Sequence, residues 1–458
     1  MESSERPDPA TIQPCQETMA AVAGNVYIET YGCQMNVADS ELVAGILTAS
    51  GYRLVNTPEE ADVILVNTCA VRQHAENRVL GRVAQLGGLR RHRPHLRLGI
   101  LGCMAQHQGR TLQQQAPGVS LVAGPDAYRQ LPRLLAGSQD EFNLDVRLDR
   151  TECYTDLAPV REGRTNAWIP IIRGCDRFCT FCVVPFVRGR ERSLPPGDIL
   201  RQVEDLVAAG FREVTLLGQT VNAYRHGDTG FAALLRQVAA VDGILRIRFV
   251  SPYPAGFDAE TIAVMASTPK ICRALHLPVQ SGSDTQLQRM RRGYTVDQYR
   301  HLVQQLRQAL PDLTLTTDLI TGFCGETEAD FQQTLALMEE IRFDAAFMFK
   351  YSAREGTLAY RRLPDDVPEP VKTARLERMI EQQERMSLAI NRKLIGQTVE
   401  VLVEGRSKRS DATEPRYYGR TEGGKVVVFG QPAPVNSLIR IALTDATAHT
   451  LFGEPLTG

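Results

Sequence analysis

The chain is 458 residues long, which leaves room for about three domains of ordinary size, each able to bury its own core. Hydrophobic residues make up 43% and charged residues 23%, ordinary for a globular chain, and no stretch approaches the roughly 20 unbroken apolar residues of a membrane helix. A formal net charge of −1 excludes a chain-wide positive field for nucleic acid but permits a local patch. Met1 to Pro9 are acidic and Pro/Ser-rich and lack the cationic head and apolar run of a secretory leader. A cytoplasmic protein without membrane association is therefore expected, with residues 1–23 as a disordered tail. Ten cysteines in a reducing compartment point to metal or redox work rather than disulfides.

From Val26 a short apolar strand, a cysteine and a helical stretch repeat. The pattern predicts strands at 26–30, 63–66 and 98–101 and helices at 39–50, 75–89 and 106–115. Such alternation gives an α/β domain, a doubly wound parallel sheet with helices on its faces, over 24–140. Cys33, Cys69 and Cys103 each fall within three residues of a strand end. Carboxyl ends of parallel strands open on one edge, so these three thiols are expected to converge there, though position alone does not name the metal.

A looser stretch from 137 to 165 reads as a connection between domains. Six further strands, at 168–172, 213–217, 245–250, 273–277, 314–320 and 345–349, alternate with helical stretches at 197–209, 231–241, 295–309 and 328–341. That run is long enough for a partial (β/α)6 barrel over 161–392, with its site built from polar groups after the strands. A long helix over 369–394 ends at Gly396. Beyond it Val399, Val401 and Val403 alternate with polar residues, and short strands at 425–429 and 438–443 are split by Gly/Pro turns. With no helical pattern between them, 393–458 is expected to close as a small all-β barrel.

Cys175, Cys179 and Cys182 form C-x3-C-x2-C in a loop after the first barrel strand. A zinc site would want a fourth ligand at short spacing, and the next histidine is His226 and the next cysteine Cys272. Three thiolates on a four-iron cube leave one iron open to chelate a small molecule. The amino and carboxylate groups of S-adenosylmethionine suit that position, and a low-potential electron can then break its sulfonium C–S bond to release a carbon radical. Three cysteines that merely pack are the bland alternative.

The C-x3-C-x2-C loop resembles that of radical S-adenosylmethionine enzymes. The whole chain from Val26 to Phe452 resembles the methylthiotransferases of the tRNA-2-methylthio-N6-dimethylallyladenosine synthase type. The segments that carry the likeness are Glu29-Thr-Tyr-Gly-Cys-Gln-Met-Asn36, Asn67-Thr-Cys-Ala-Val-Arg72, Gly102-Cys-Met-Ala-Gln106 and Gly174 to Gly189, followed by Leu217 to Tyr224, His276 to Ser283, Arg291-Arg-Gly-Tyr-Thr295, Thr317 to Glu328 and Tyr351 to Thr357. The resemblance implies two [4Fe-4S] clusters, one on Cys175, Cys179 and Cys182 and an auxiliary one on Cys33, Cys69 and Cys103, each with an open iron. It implies that two molecules of S-adenosylmethionine serve, one donating methyl to sulfur on the auxiliary cluster, the other yielding the radical that removes hydrogen from C2 of N6-isopentenyladenosine at position 37 of tRNA. By the same analogy Phe181 lies along the adenine of S-adenosylmethionine, while Gln219, Asn222, Gln280 and Asp318 face the barrel mouth as cofactor-binding groups. Taken singly, each of these is as readily a loop cap.

The last sixty residues resemble the TRAM-like RNA-binding barrel of tRNA-modifying enzymes, through Val403 to Lys408 and Tyr418 to Thr421. Arg406, Lys408, Arg409, Arg416 and Arg420 would form its cationic cluster on phosphates; a solvated face is the alternative. The resemblance also implies a low-potential electron donor of flavodoxin or ferredoxin type, a sulfur donor and a monomeric enzyme. Three positions depart from the family pattern: Cys324 where proline is common, Arg173 before the cluster glycine, and Leu194 where arginine is frequent. Other substrates open to this family are threonylcarbamoyladenosine of tRNA and a ribosomal-protein aspartate. A non-enzymatic iron–sulfur protein that binds RNA is the reading from another class.

Overall fold

The computed structural model describes residues 23–70, 73–137, 141–161, 165–407 and 415–456. Most of the expected tail, together with Cys15, Lys408 and Arg409, lies outside the described residues.

The N-terminal domain is one six-stranded sheet in the order Tyr52–Leu54, Gly24–Tyr31, Val63–Thr68, Arg97–Gly102, Leu121–Ala123, Asn143–Asp145. All five pairings are parallel. The strand order reverses between Gly24–Tyr31 and Val63–Thr68, the switch point at which doubly wound sheets open a crevice. Strands Val63–Thr68 and Arg97–Gly102 are buried along their whole length because helices cover both faces, so they read as continuous apolar runs. Three strands escape the sequence pattern because they are only three residues long. One of them, Asn143–Asp145, lies within the stretch expected as a connection. The helix expected over 106–115 is broken at Gly109, φ +50°, into Cys103–Gln108 and Thr111–Gln115.

The second domain is the expected partial barrel. Asn166–Pro170, Glu213–Leu217 and Arg246–Phe249 pair in parallel, as do Ala274–His276, Thr314–Thr321 and Ala345–Lys350. A parallel bridge between Ile247 and Ile271 joins the two halves into a six-strand arc. Helices Pro196–Ala208, Phe231–Ala240, Ala259–Ser267, Val296–Ala309, Glu328–Ile341 and Glu369–Arg392 line its outside, and one continuous apolar core runs between strands and helices. Departures in the family pattern have structural counterparts here. Leu194 is a core residue, and Cys324 is buried with Phe323 and Tyr351.

Thr398–Arg406, Tyr417–Thr421, Val426–Phe429, Leu438–Ala446 and Thr450–Pro455 close into a five-stranded barrel, as expected. It is clamped to the side of the central barrel by two strand arginines. Arg246 donates to the carbonyl of Arg420 at 2.7 Å, and Arg248 to those of Glu422 and Thr421 at 2.8 and 2.9 Å. Among the described residues no helix is long and apolar enough to cross a membrane.

Candidate active site

The cysteine loop leaves the first barrel strand and is pinned at its base, where Ile172–Arg173 pairs antiparallel with Arg192–Ser193. The amide of Cys175 donates to the carbonyl of Gly189 at 3.1 Å, closing the loop on itself. Gly174 allows this closure: its φ is +79°, and a Cβ there would lie 2.1 Å from the carbonyl oxygen of Arg190. Cys175 and Cys179 are buried and Cys182 partly so. Burial raises the Cys175 thiol above its ordinary value and pushes Cys182 up to about 12. Thiols in this apolar setting become thiolates by binding a cation.

The second triad comes together at the sheet switch point. Cys33 is the N-cap of helix Gln34–Ala49, Cys69 follows strand Val63–Thr68, and Cys103 opens helix Cys103–Gln108. The three thiols interact directly. Hydrogen bonding from Cys69 holds Cys33 at about 6, with help from the Arg188 charge and backbone amides of the helix start. The same contact lowers Cys103, while Cys69, which shares its proton with both neighbours, is raised. Behind them Asn67 and Asn36 brace the crevice: Asn36 donates to Asn67 Oδ1 at 3.1 Å, and Asn67 returns a bond to the Asn36 carbonyl at 3.0 Å.

The two triads face one another. Cys103 packs with Val183 and Val187, which lie immediately after the cysteine loop. Arg188 Nε donates to Cys103 Sγ at 3.1 Å. A cavity of about 680 Å³ opens at the barrel mouth beside Cys182, lined also by Val183, Phe181, Gln280, Asp318 and Lys350 among others. Phe181, Gln280 and Asp318 are thus gathered on one cavity with a loop cysteine. Asp318 lies 3.4 Å from His276 Nε2, and Phe181 meets the ring of Phe323 edge-on. Gln280 holds φ +75°, a conformation costly for a side-chain-bearing residue. Gln219 keeps a buried amide oxygen with no hydrogen-bond partner. Asn222 is occupied elsewhere, donating to the Tyr253 carbonyl at 3.0 Å and accepting from its amide at 2.7 Å.

Two arginines outside the motif cysteines, Arg188 and Arg292, touch the thiols directly. Arg292 is buried and donates to Cys179 Sγ at 3.4 Å, while its ring neighbour Tyr253 sits under the guanidinium at 4.5 Å. Both arginines lie inside segments that carry the family likeness, Gly174 to Gly189 and Arg291 to Thr295. On the small barrel, Arg420 is tied to Glu404 at 2.9 Å and to the Gly424 carbonyl, whereas Arg406 and Arg416 flank the segment that begins with Lys408.

Each donor set fits a cubane. Each offers three thiols, and Phe181, Gln280 and Asp318 line the cavity beside Cys182, whereas Gln219 is not among its lining residues. Among the described residues no three His, Cys, Asp or Glu side chains are gathered to hold a single metal ion. A cubane asks for something different, one thiolate at each of three separate irons.

Three family models match parts of the chain. Residues 25–124 match the uncharacterized protein family UPF0004, 169–338 the radical SAM superfamily, and 392–456 the TRAM domain. The radical SAM methyltransferase TsrM from Kitasatospora setae, solved with cobalamin and a [4Fe-4S] cluster, shares the fold at TM-score 0.53 and 12% identity, over 81% of this chain and 78% of its own. Fold and cysteine loop together define a radical SAM enzyme. Far nearer in sequence is the tRNA-2-methylthio-N(6)-dimethylallyladenosine synthase of Porphyromonas gingivalis W83, 50% identical over 440 residues and 94% of each chain. That of Chlorobium luteolum is 46% identical over 93% of this chain and 96% of its own. The chain belongs to the tRNA-2-methylthio-N(6)-dimethylallyladenosine synthase family.

Proposed function

We propose that this enzyme transfers a methylthio group to C2 of N6-isopentenyladenosine at position 37 of tRNA, with Cys175, Cys179 and Cys182 holding the radical-generating [4Fe-4S] cluster and Cys33, Cys69 and Cys103 the sulfur-bearing one. The observation that carries the reading is the contact between the two cysteine sites, Arg188 on the loop side reaching Cys103 on the sheet side at 3.1 Å. Chemistry that begins at one cluster and ends at the other needs the two sites adjacent. When bound, S-adenosylmethionine and the iron–sulfur clusters supply a methyl group and a carbon radical able to take an unreactive hydrogen.

The chain's own residues bind, orient and exclude. Phe181 gives an aromatic edge for the adenine of S-adenosylmethionine, and Gln280 and Asp318 offer polar groups from neighbouring strand ends that accept an ammonium. Val183, Val184, Ile320, Met348 and Phe349 line the remaining wall and keep water away from a radical. Lys350 and Lys372, also on the wall, are each paired with a carboxylate of the same wall, Glu369 and Asp365. Arg406, Arg416 and Arg420 of the small barrel, together with Lys408 and Arg409 of the sequence between the first two, hold phosphates further along the tRNA. A flavodoxin- or ferredoxin-type protein delivers the electron, a separate sulfur donor restores the auxiliary cluster, and the enzyme works as a cytoplasmic monomer.

The test is two measurements on anaerobically reconstituted protein. Iron and sulfide are expected near eight per chain, about four for each cubane, and near four after Cys33, Cys69 and Cys103 are all changed to alanine. Mass spectrometry of nucleosides from tRNA incubated with the enzyme is expected to show the methylthio adduct of N6-isopentenyladenosine. An adduct on threonylcarbamoyladenosine or on a ribosomal protein instead would move the substrate, and iron and sulfide near four in the parent chain, unchanged by the triple substitution, would end the two-cluster reading.

A further inference from the structure

Arg188 sits where two domains and two cysteine sites meet. It ends helix Val184–Arg188, directly after the cysteine loop, yet its Nε donates to Cys103 Sγ of the other domain at 3.1 Å. Its Nη2 donates to Asp39 Oδ2 at 2.7 Å, and Arg173 donates to the other oxygen of the same carboxylate at 3.1 Å. All three charged groups are buried: Asp39 is 0% exposed and Arg173 and Arg188 3% each. One carboxylate shared by two guanidinium groups leaves a net positive charge beside the auxiliary thiols, out of reach of water's screening. A buried cation of this kind needs an anion. Beyond the shared Asp39, the group in its contact is the Cys103 sulfur, one of the three auxiliary thiols.

A cation that donates N–H to a cluster thiolate stabilises the reduced, more negative cluster over the oxidised one, because each added electron deepens the attraction. We propose that Arg188 is a positioning residue that raises the reduction potential of the auxiliary cluster through its bond to Cys103; the proposal rests on the reading that Cys33, Cys69 and Cys103 hold that cluster. Arg292 stands in the equivalent place at the other site, donating to Cys179 Sγ at 3.4 Å. It supplies a built-in control, a buried arginine of the same chemistry on the other cluster.

The test uses the full chain with Cys175, Cys179 and Cys182 changed to alanine, so that every iron belongs to the auxiliary site. After anaerobic reconstitution, the reduced cluster is followed by electron paramagnetic resonance during a dye-mediated potential titration. In Arg188→Gln, which keeps an N–H donor but loses the charge, the ratio of reduced to oxidised cluster at fixed potential is expected to fall about tenfold, equivalent to about 59 mV for a one-electron couple. Arg188→Lys, which keeps the charge but not the two-pronged geometry, is expected to fall between the two. Arg292→Gln in the same background is expected to leave the midpoint in place. An unchanged midpoint in Arg188→Gln at full iron content overturns the proposal. So does loss of iron in both Arg188 variants, which would make the arginine a structural brace through Asp39. If the parent with arginine intact holds no iron, the failure lies instead with the assignment of the three cysteines, and the proposal falls with it.

Discussion

Gly102 is a residue at which the site proposed for the auxiliary cluster breaks without a change to any of its three cysteines. Its φ of +88° turns the chain from strand Arg97–Gly102 into the helix begun by Cys103, and a Cβ there would lie 2.3 Å from Asn67 Oδ1 and 2.7 Å from the Thr68 carbonyl oxygen. Neither neighbour can retreat, since Asn67 is held by Asn36 and Ser40 and Thr68 is the last residue of a central strand. Gly102→Ala is therefore expected to displace Cys103, lowering iron from about eight to about four per chain while the site at Cys175, Cys179 and Cys182 keeps its cube. Metal and sulfide analysis with the core-cluster signal as internal control checks it. Across the mouth, Gln280→Ala is expected to keep all the iron and raise KM for S-adenosylmethionine, because the substitution removes a polar group from the cavity wall and leaves both triads intact. At this scale the cysteines were legible in sequence because thiols at ligand spacing have few other uses. Arg188 and Arg292 were not, because in a chain with 52 basic residues an arginine that touches sulfur is written no differently from one that touches water.

Helices in the central barrel are started by side chains the sequence displays openly. Thr327 caps Glu328–Ile341 and Asp330 reaches back to the Thr327 amide at 2.9 Å, a complete capping box. Burial alone would raise the Asp330 carboxyl, but hydrogen bonds from Ser283, from both groups of Thr327 and from Gln286 outweigh it and hold the group below its ordinary value. Ser283 itself caps Asp284–Arg289, so one carboxylate fastens the starts of two helices beside Gln280. Thr327→Ala is expected to cost about 1 kcal/mol in denaturant unfolding. Asp330→Asn has a pH signature. A carboxyl lowered in the folded protein contributes stability that is full above its unfolded value of about 4 and is lost as pH falls through the lower folded one. The difference between Asp330→Asn and the parent should thus be present at neutral pH and shrink under acid, and a flat difference would contradict the sign. Capping and periodicity explain why the barrel strands at 213–217 and 314–320 and the long helix from 369 could be read from sequence nearly to their ends. The three-residue strands Tyr52–Leu54, Leu121–Ala123 and Asn143–Asp145 offer too few positions for any period to show.

Docking of the N-terminal domain on the barrel is an arrangement of buried charges. Asp39, Glu76 and Asp126 come from the sheet domain, and each meets arginine from the barrel: Arg173 and Arg188 at Asp39, Arg354 at Glu76 and Arg192 at Asp126. These contacts set the separation of the two cysteine sites, and sequence could not announce them, because the partners lie tens to hundreds of residues apart and an ion pair leaves no period. The pair Asp126 and Arg192 is the cleanest to test. It is bidentate at 2.9 Å on both oxygens, with side chains 1% and 8% exposed, and neither residue is a candidate ligand. Desolvating two charges offsets most of their attraction, so the pair as a whole adds little, but removing one partner strands the other in a medium that cannot solvate it. Asp126→Asn is expected to destabilise by about 3 to 5 kcal/mol, whereas the double change Asp126→Leu with Arg192→Met should recover most of that loss. Thermal and denaturant unfolding of both variants decide the matter. Hydrogen exchange locates the effect, since loss of protection should be concentrated in strands Gly24–Tyr31, Val63–Thr68 and Arg97–Gly102 and at the base of the cysteine loop. A double variant as unstable as the single one would mean that this interface depends on the charges themselves, and that the spacing of the two cysteine sites cannot be kept by apolar packing.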